Sequence, residues 1–465
     1  MVDSRPAPAL GPTIEERAAR LCVLAVATEW ESRNGGLSTL NRNLCVALAR
    51  AGHRVVCLIP NASREEMEEA AGFHVELVEA TPAKGKDVGP LACLQRKPAL
   101  PLDFAPNVVL GHGRVTGFAA RALVDDFFSS ALRIHFLHTV PNEIEWYKLR
   151  SIDAAVRAEG DERDEIELGK TAALAVGVGP RLTDELKSLL VPFTLARPIH
   201  ELDPGFDGLI ESSPNRTRRA PPPGMHCLFL GRAEDDNLKG LDIAAGAIAR
   251  VRGRGTPAVL VVRGAQPGTG HKLQDHLTAL VRAPNSVRVK EFSADAQTIH
   301  EDLLRSAIVL MPSRTEGFGL VGLEAIECGV PTLVSDQSGL AQVLRRRELP
   351  EAAGRLVVPV TTDAEATAEE WGRRLDAELH DPEAAFRRAA DVRAALVRLF
   401  TWDRAASALV AALGALLPAD RDVESARAES RGAAPTLGKV DIKGAAAEFD
   451  TFKQEVERML RGSSK

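Results

Sequence analysis

Short, wholly apolar runs punctuate the chain, each followed by a polar or glycine-rich turn and then a stretch of helical period. Residues 21–27, Leu-Cys-Val-Leu-Ala-Val-Ala, are the first such run. A strand that is apolar at every position is buried on both faces, as in the middle of a parallel sheet. After it, Leu40, Leu44, Ala47 and Leu48 share one side of a helix that ends near Ala51, just before Gly52-His53. The same alternation predicts strands over 54–59, 74–78, 107–110, 133–139 and 172–178, separated by helices over 61–73, 116–128, 157–170 and 181–190. It restarts with strands at 225–230, 258–262, 286–289 and 307–311 and helices at 240–252 and up to Leu280. Strand and helix taking turns in this way specify α/β domains on parallel sheets.

Two stretches break the rhythm. Residues 79–106 carry several prolines and glycines without a period and read as a long surface excursion. Residues 212–224, with Pro-Asn-Arg-Thr-Arg-Arg-Ala-Pro-Pro-Pro-Gly inside them, read as an interdomain linker. At 465 residues the chain is too long for one core, and a division into two or three domains is expected.

The densest chemistry lies in residues 312–325, Pro-Ser-Arg-Thr-Glu-Gly-Phe-Gly-Leu-Val-Gly-Leu-Glu-Ala, between the apolar run 307–311 and the strand-like Gly329-Val330-Pro331-Thr332-Leu333-Val334-Ser335. Gly317 and Gly319 let backbone approach a ligand closely, and the free N–H groups of the following helix face that ligand with partial positive charge. Such a turn suits phosphate or sugar oxygen. Glu316 and Glu324 flank it, with one expected at the helix entrance and the other about two turns inside.

This segment resembles the E-x7-E motif of retaining glycosyltransferases of the GT-B type, family 4, in its EGFGL wording and in the LEA, CG-x-P and GL elements that trail it. The resemblance spans roughly residues 20–416. It implies an α/β fold of two Rossmann-like domains facing across a cleft, with a C-terminal crossover helix and a tail. The expected boundaries are an extension over 1–20, an acceptor domain over 21–207, a linker over 208–224, a donor-nucleotide domain over 225–399, the crossover helix over 400–416, and a disordered linker with a short amphipathic helix over 417–465.

The same resemblance assigns roles. Glu316 would hold hydroxyls of the donor sugar, and Glu324 the ribose of its nucleotide. Gly35-Gly36-Leu37, after the first strand, looks like the family's GG loop over the donor diphosphate. Gly231-Arg232 and Lys239-Gly240 match its GR...KG element, in which Arg232 and Lys239 would meet one diphosphate at the head of a helix. Gly317, Phe318, Gly319 and Leu320 complete the donor contacts. His138 matches the active-site histidine beside the donor sugar, where a neutral imidazole can hydrogen-bond a hydroxyl. His112 is expected as a supporting or acceptor-side residue. Arg263 and residues 291–293 fall near the nucleotide. Trp146 and Tyr147 either stack on an acceptor or pack their loop. Where many relatives have Gly-Gly-Leu-x-Glu, this chain has Ser338-Gly339-Leu340-Ala341-Gln342, a departure outside the expected pocket.

Composition narrows the field. A net charge of −6 leaves no cationic excess for a nucleic-acid strand. Six cysteines without CxxC spacing read as reduced, buried thiols of a reducing compartment. Residues 1–20 lack an apolar core of the signal-peptide kind, and no run approaches the length of a membrane span, so a cytoplasmic protein is expected. Beyond Pro418 the chain turns Ala-, Arg-, Glu- and Ser-rich. Phe449, Phe452, Val456, Met459 and Leu460 then share one face of a helix over 445–461, a candidate docking element for a protein partner.

The expected activity is metal-independent transfer of a sugar from a nucleotide-diphosphate sugar, a UDP- or GDP-sugar for instance, to an unidentified acceptor with retention at the anomeric carbon. No resident cofactor and no metal site are expected. A nucleotide or nucleotide-sugar binding module that signals through its tail is the alternative. A phosphorylase-like enzyme is weaker, since nothing marks a lysine for a pyridoxal cofactor.

Overall fold

The computed structural model describes residues 20–31, 36–82, 89–141, 143, 154–193, 198–208, 220–232 and 235–416. Gly35, Trp146, Tyr147, the extension 1–19, the core of the expected linker and the tail with its helix at 445–461 lie outside the described residues. Residues up to Leu416 form one compact unit.

That unit holds two parallel sheets. In the first, β1 (Cys22–Val26), β2 (Arg54–Ile59), β3 (Val75–Glu79), β4 (Val108–His112), β5 (Leu132–Leu137), β6 (Leu174–Val178) and β7 (Ile199–Leu202) lie in the order β3-β2-β1-β4-β5-β6-β7. In the second, β8 (His226–Leu230), β9 (Val259–Ala265), β10 (Val287–Glu291), β11 (Ile308–Met311), β12 (Thr332–Ser335) and β13 (Val357–Val358) lie in the order β10-β9-β8-β11-β12-β13. Strand order reverses between β1 and β4 in one sheet and between β8 and β11 in the other. Open α/β sheets bind ligands outside the carboxyl ends of strands at such a switch point.

The apolar runs lie where their composition requires. Leu24, Val26, Val109, Ile134, Val176, Leu260, Val309 and Leu310 are all buried in the two sheets. Trp371, wholly buried under the second sheet, satisfies its indole N–H on the Pro359 carbonyl at 3.1 Å. The helix Trp402–Gly414 packs on the helix Gly36–Arg50 and on β7, so the chain's last described helix returns to the first sheet. Its entry is fixed by Phe206 N–H donating to the Phe400 carbonyl at 2.9 Å and Trp402 N–H donating to Asp207 Oδ1 at 2.9 Å.

Three expectations need correction. The segment 79–106 is not simply a surface excursion: it contains the 3-10 helix Pro90–Gln95 and buries Cys93, Leu94 and Phe104 in the core of the first sheet. The strand β7 was not expected, because Ile-His-Glu-Leu is short, half-polar and at a sheet edge. The helix after the central turn starts at Leu320, so Glu316 lies four residues before it and Glu324 only about one turn inside. Gly319, at φ 104°, caps that helix and shifts its start past both glycines.

Candidate active site

The two switch points meet around the Glu316 turn. β1 leads to the helix Gly36–Arg50, and β4 and β5 end at His112 and just before His138. From the second sheet, β8 leads to Gly231-Arg232 and the short helix Asp236–Lys239, while β11 leads to Glu316. Gly317 sits so close to the first sheet that a Cβ on it would lie 2.2 Å from the His138 carbonyl oxygen. Phe318 packs on Gly179 and Leu320 on Gly36. The glycine turn thus brings protein backbone from one sheet against that of the other, with Glu316 and His138 on either side of the contact.

The turn is held stiffly from behind. Glu316 N–H donates to the Gln337 carbonyl at 3.0 Å, Gly339 N–H to the Gly317 carbonyl at 3.0 Å, and Leu340 N–H to the Phe318 carbonyl at 2.7 Å. Arg314 forks onto both carboxylate oxygens of Asp242, at 2.8 and 2.7 Å, and reaches the Asn237 carbonyl at 2.7 Å. That clamp ties the turn to the Lys239 helix. Gly240, at φ 72°, allows the approach: a Cβ there would stand 2.1 Å from the Pro312 carbonyl oxygen.

Of the charged residues expected to hold a donor, Lys239 and Glu316 are brought together and Arg232 stands apart. Lys239 Nζ lies 2.6 Å from Glu316 Oε2, with Ser313 Oγ donating to the same oxygen at 3.3 Å. Both partners are partly exposed, at 27% and 20%. Arg232 is 67% exposed and pairs with Asp235 at 3.0 Å. Arg263 is committed elsewhere, donating to buried Asp302 at 2.6 Å and to the Glu291 carbonyl at 2.7 Å. Among the described residues no group of three or more His, Cys, Asp or Glu side chains is placed to hold a metal ion.

Glu324 is half-buried, and burial pushes its carboxyl up to about 7. Glu327, one turn further along, is pushed up to about 8, first by burial and then by the nearness of Glu324, although it accepts the Gly208 N–H at 3.2 Å. Two acids on one short helix crowd negative charge there, which the nearby Arg393 offsets only in part at Glu327.

The histidines form a chain. His138 Nε2 lies 3.0 Å from His112 Nδ1, and His112 Nε2 lies 3.0 Å from Asn41 Oδ1. Burial, reinforced by the neighbouring His135, pushes His112 down to about 3; burial, His112 and His135 hold His138 well below the ordinary imidazole range. Both rings are therefore neutral at physiological pH. Asn41 was not foreseen, although a polar residue beside Leu40 on the apolar side of its helix was the signal. Equally unforeseen is a knot across the two sheets in which Glu143 takes hydrogen bonds from Arg181 and Thr315, with Arg181 Nη2 also 3.3 Å from Thr315 Oγ1.

Comparison with known proteins settles the lineage. The family described as "Family 4 Glycosyltransferase in conflict systems" matches residues 24–409, most of the chain. The protein belongs to this family. Curated relatives agree with that membership. This glycosyltransferase is 24% identical over 423 residues, 86% of its own chain and 97% of the other, to a GDP-mannose-dependent alpha-(1-6)-phosphatidylinositol dimannoside mannosyltransferase of Mycobacterium tuberculosis. It is 32% identical over 225 residues to D-inositol 3-phosphate glycosyltransferase 2 of Catenulispora acidiphila, a match that covers 45% of this chain and spans half, 50%, of that relative's length. Among solved structures, sucrose-phosphate synthase from Thermosynechococcus elongatus superposes with a TM-score of 0.61 at 18% identity, over 87% of this chain and 99% of that one. The two parallel sheets and this likeness make the architecture GT-B, as the sequence led one to expect. No helix among the described residues is long and apolar enough to cross a membrane.

Proposed function

We propose that this glycosyltransferase moves a sugar from a nucleotide-diphosphate sugar to a hydroxyl acceptor with retention at the anomeric carbon and without a metal. The observation that carries the reading is the convergence of Lys239, Glu316 and His138 where the two switch points meet. In the reaction the bond from the anomeric carbon to the diphosphate oxygen breaks while a bond to the acceptor oxygen forms on the same face. The acceptor's proton passes to the departing phosphate oxygen, so no separate protein base is required. Charge developing on the diphosphate needs fixed cations and amides. Lys239 supplies one once it exchanges its pairing with Glu316 for phosphate, Arg232 supplies another by a swing of its exposed side chain, and the N–H groups at the start of the helices Gly36–Arg50 and Leu320–Glu327 add partial positive charge. Glu316, released from Lys239, would accept hydrogen bonds from sugar hydroxyls, and Glu324 from the ribose.

The donor class is tested by thermal shift with UDP-, GDP- and ADP-sugars on wild type and Lys239→Ala. A cognate donor at 100 times its dissociation constant stabilises by about 2.7 kcal/mol. Loss of one charge-assisted contact in Lys239→Ala is expected to weaken that donor by about 10- to 100-fold. No stabilisation by any nucleotide sugar, or equal stabilisation of Lys239→Ala, would overturn the assignment. Turnover followed by NMR of the product's anomeric proton separates retention from inversion.

A further inference from the structure

We propose that Asn41 is a positioning residue that, acting through His112, fixes which nitrogen of His138 carries its proton. Two neutral imidazoles facing each other at 3.0 Å share a single hydrogen, so one ring must donate and the other accept. The choice is made one residue further back. Asn41 is fully buried, and its amide oxygen lies 3.0 Å from His112 Nε2. An amide oxygen only accepts, so His112 bears its hydrogen on Nε2 and presents a bare Nδ1. His138 must then donate from Nε2, which leaves its own Nδ1 as an acceptor.

The amide could in principle face the other way, and the whole chain of hydrogen bonds would reverse with it. In the structure the oxygen is the amide atom turned toward His112. Asn41 Nδ2 donates to Cys57 Sγ at 3.5 Å, and Cys45 Sγ donates to Asn41 Oδ1 at 3.8 Å. His112 is itself held in place: its backbone N–H donates to Thr116 Oγ1 at 2.7 Å, and its ring packs on Phe136 with centroids 4.8 Å apart. A residue on the helix Gly36–Arg50 thereby determines whether the half-buried histidine at the Glu316 turn offers a hydrogen-bond acceptor or a donor to a sugar hydroxyl. The catalytic consequence rests on the transferase reading above; the proton positions rest on the geometry alone.

The test reads imidazole nitrogens directly. In protein with 15N-labelled histidine at about pH 7.5, with signals assigned from His112→Gln and His138→Gln, both His112 and His138 are expected as the Nε2–H form. In Asn41→Leu, similar in size but without an acceptor, His138 is expected to become a mixture of both forms. The turnover number should fall about tenfold, the scale of one lost orienting hydrogen bond, with little change in KM for the donor. A wild-type His138 protonated on Nδ1 would overturn the proposal, as would a folded Asn41→Leu whose His138 keeps a single Nε2–H form. If Asn41→Leu does not fold, Asn41→Ala asks the same question, and the wild-type spectrum decides the sense unaided. The spectra need neither donor nor acceptor. The expected proton positions in a chain without sugar transfer would therefore sink the transferase reading and leave the relay standing.

Discussion

With Glu324 as the proposed acceptor for the donor's ribose, the affinity for that donor is expected to depend on pH in a calculable way. Burial raises its carboxyl from the ordinary 4.5 to about 7 in the ligand-free protein. Ribose hydroxyls donate more strongly to an ionised carboxylate than to a neutral carboxyl, so binding favours the charged form and expels a proton wherever the free carboxyl still holds one. With a midpoint near 7, about one molecule in eleven is ionised at pH 6 and about ten in eleven at pH 8, giving a donor affinity about tenfold weaker at the lower pH. Glu327, at about 8, titrates with it as a pair and broadens the transition toward the alkaline side. Isothermal titration with the intact nucleotide sugar, whose phosphates stay ionised across this window, in buffers of different ionisation enthalpy should register nearly one proton released per donor at pH 6 and almost none well above pH 8. Glu324→Gln should bind more weakly at pH 8 and lose most of the slope. Stability runs the other way. A carboxyl raised above its unfolded value stabilises the fold most fully below about 4.5, and that contribution is lost as pH climbs through 7. Ligand-free Glu324→Gln should therefore resist heat better than wild type at pH 8 and show no such gain at pH 4.5. An affinity flat between pH 6 and 8, or a Glu324→Gln variant that keeps the full slope, would refute the reasoning.

Gly317→Ala puts a methyl group within 2.2 Å of the His138 carbonyl oxygen and must part the two sheets locally; turnover is expected to fall at least tenfold by a small geometric displacement, measured with donor at saturation. Trp402→Ala removes a wholly buried indole that anchors the returning helix; a loss of about 3–5 kcal/mol is expected in denaturant unfolding. A variant within 1 kcal/mol of wild type would show that the helix Trp402–Gly414 is only loosely seated.

Much of the fold was legible because parallel strands buried on both faces leave an unmistakable trace: β2 runs over 54–59 as its apolar composition requires. The edge strand β7 left no such trace, because half of its four residues are polar and it is held by pairing with Ala175, Val176, Gly177 and Val178 on its one neighbour. At the site, motif spacing marked Lys239 and Glu316 but could not disclose that they face each other. That pairing depends on Gly240 closing onto Pro312, seventy-odd residues away in sequence. Asn41 escaped for a similar reason. A polar residue on an apolar helix side acquires meaning only when β4 delivers His112 beneath it. The segment 79–106 looked structureless because its buried Leu94 and Phe104 follow neither a period of two nor one of 3.6.

The return of the helix Trp402–Gly414 to the first sheet bears on how the protein is made. The last strand of that sheet is complete once Leu202 has been synthesised, yet the helix that covers it and the helix Gly36–Arg50 follows about 200 residues later. At roughly 5–20 residues per second, that surface waits on the order of 10–40 seconds on the ribosome. Throughout that interval the nascent first half exposes the patch that Trp402, Leu409 and Leu413 will bury. A ribosome stalled short of residue 402 should accordingly hold an N-terminal half that recruits chaperones, and a full-length chain should release them.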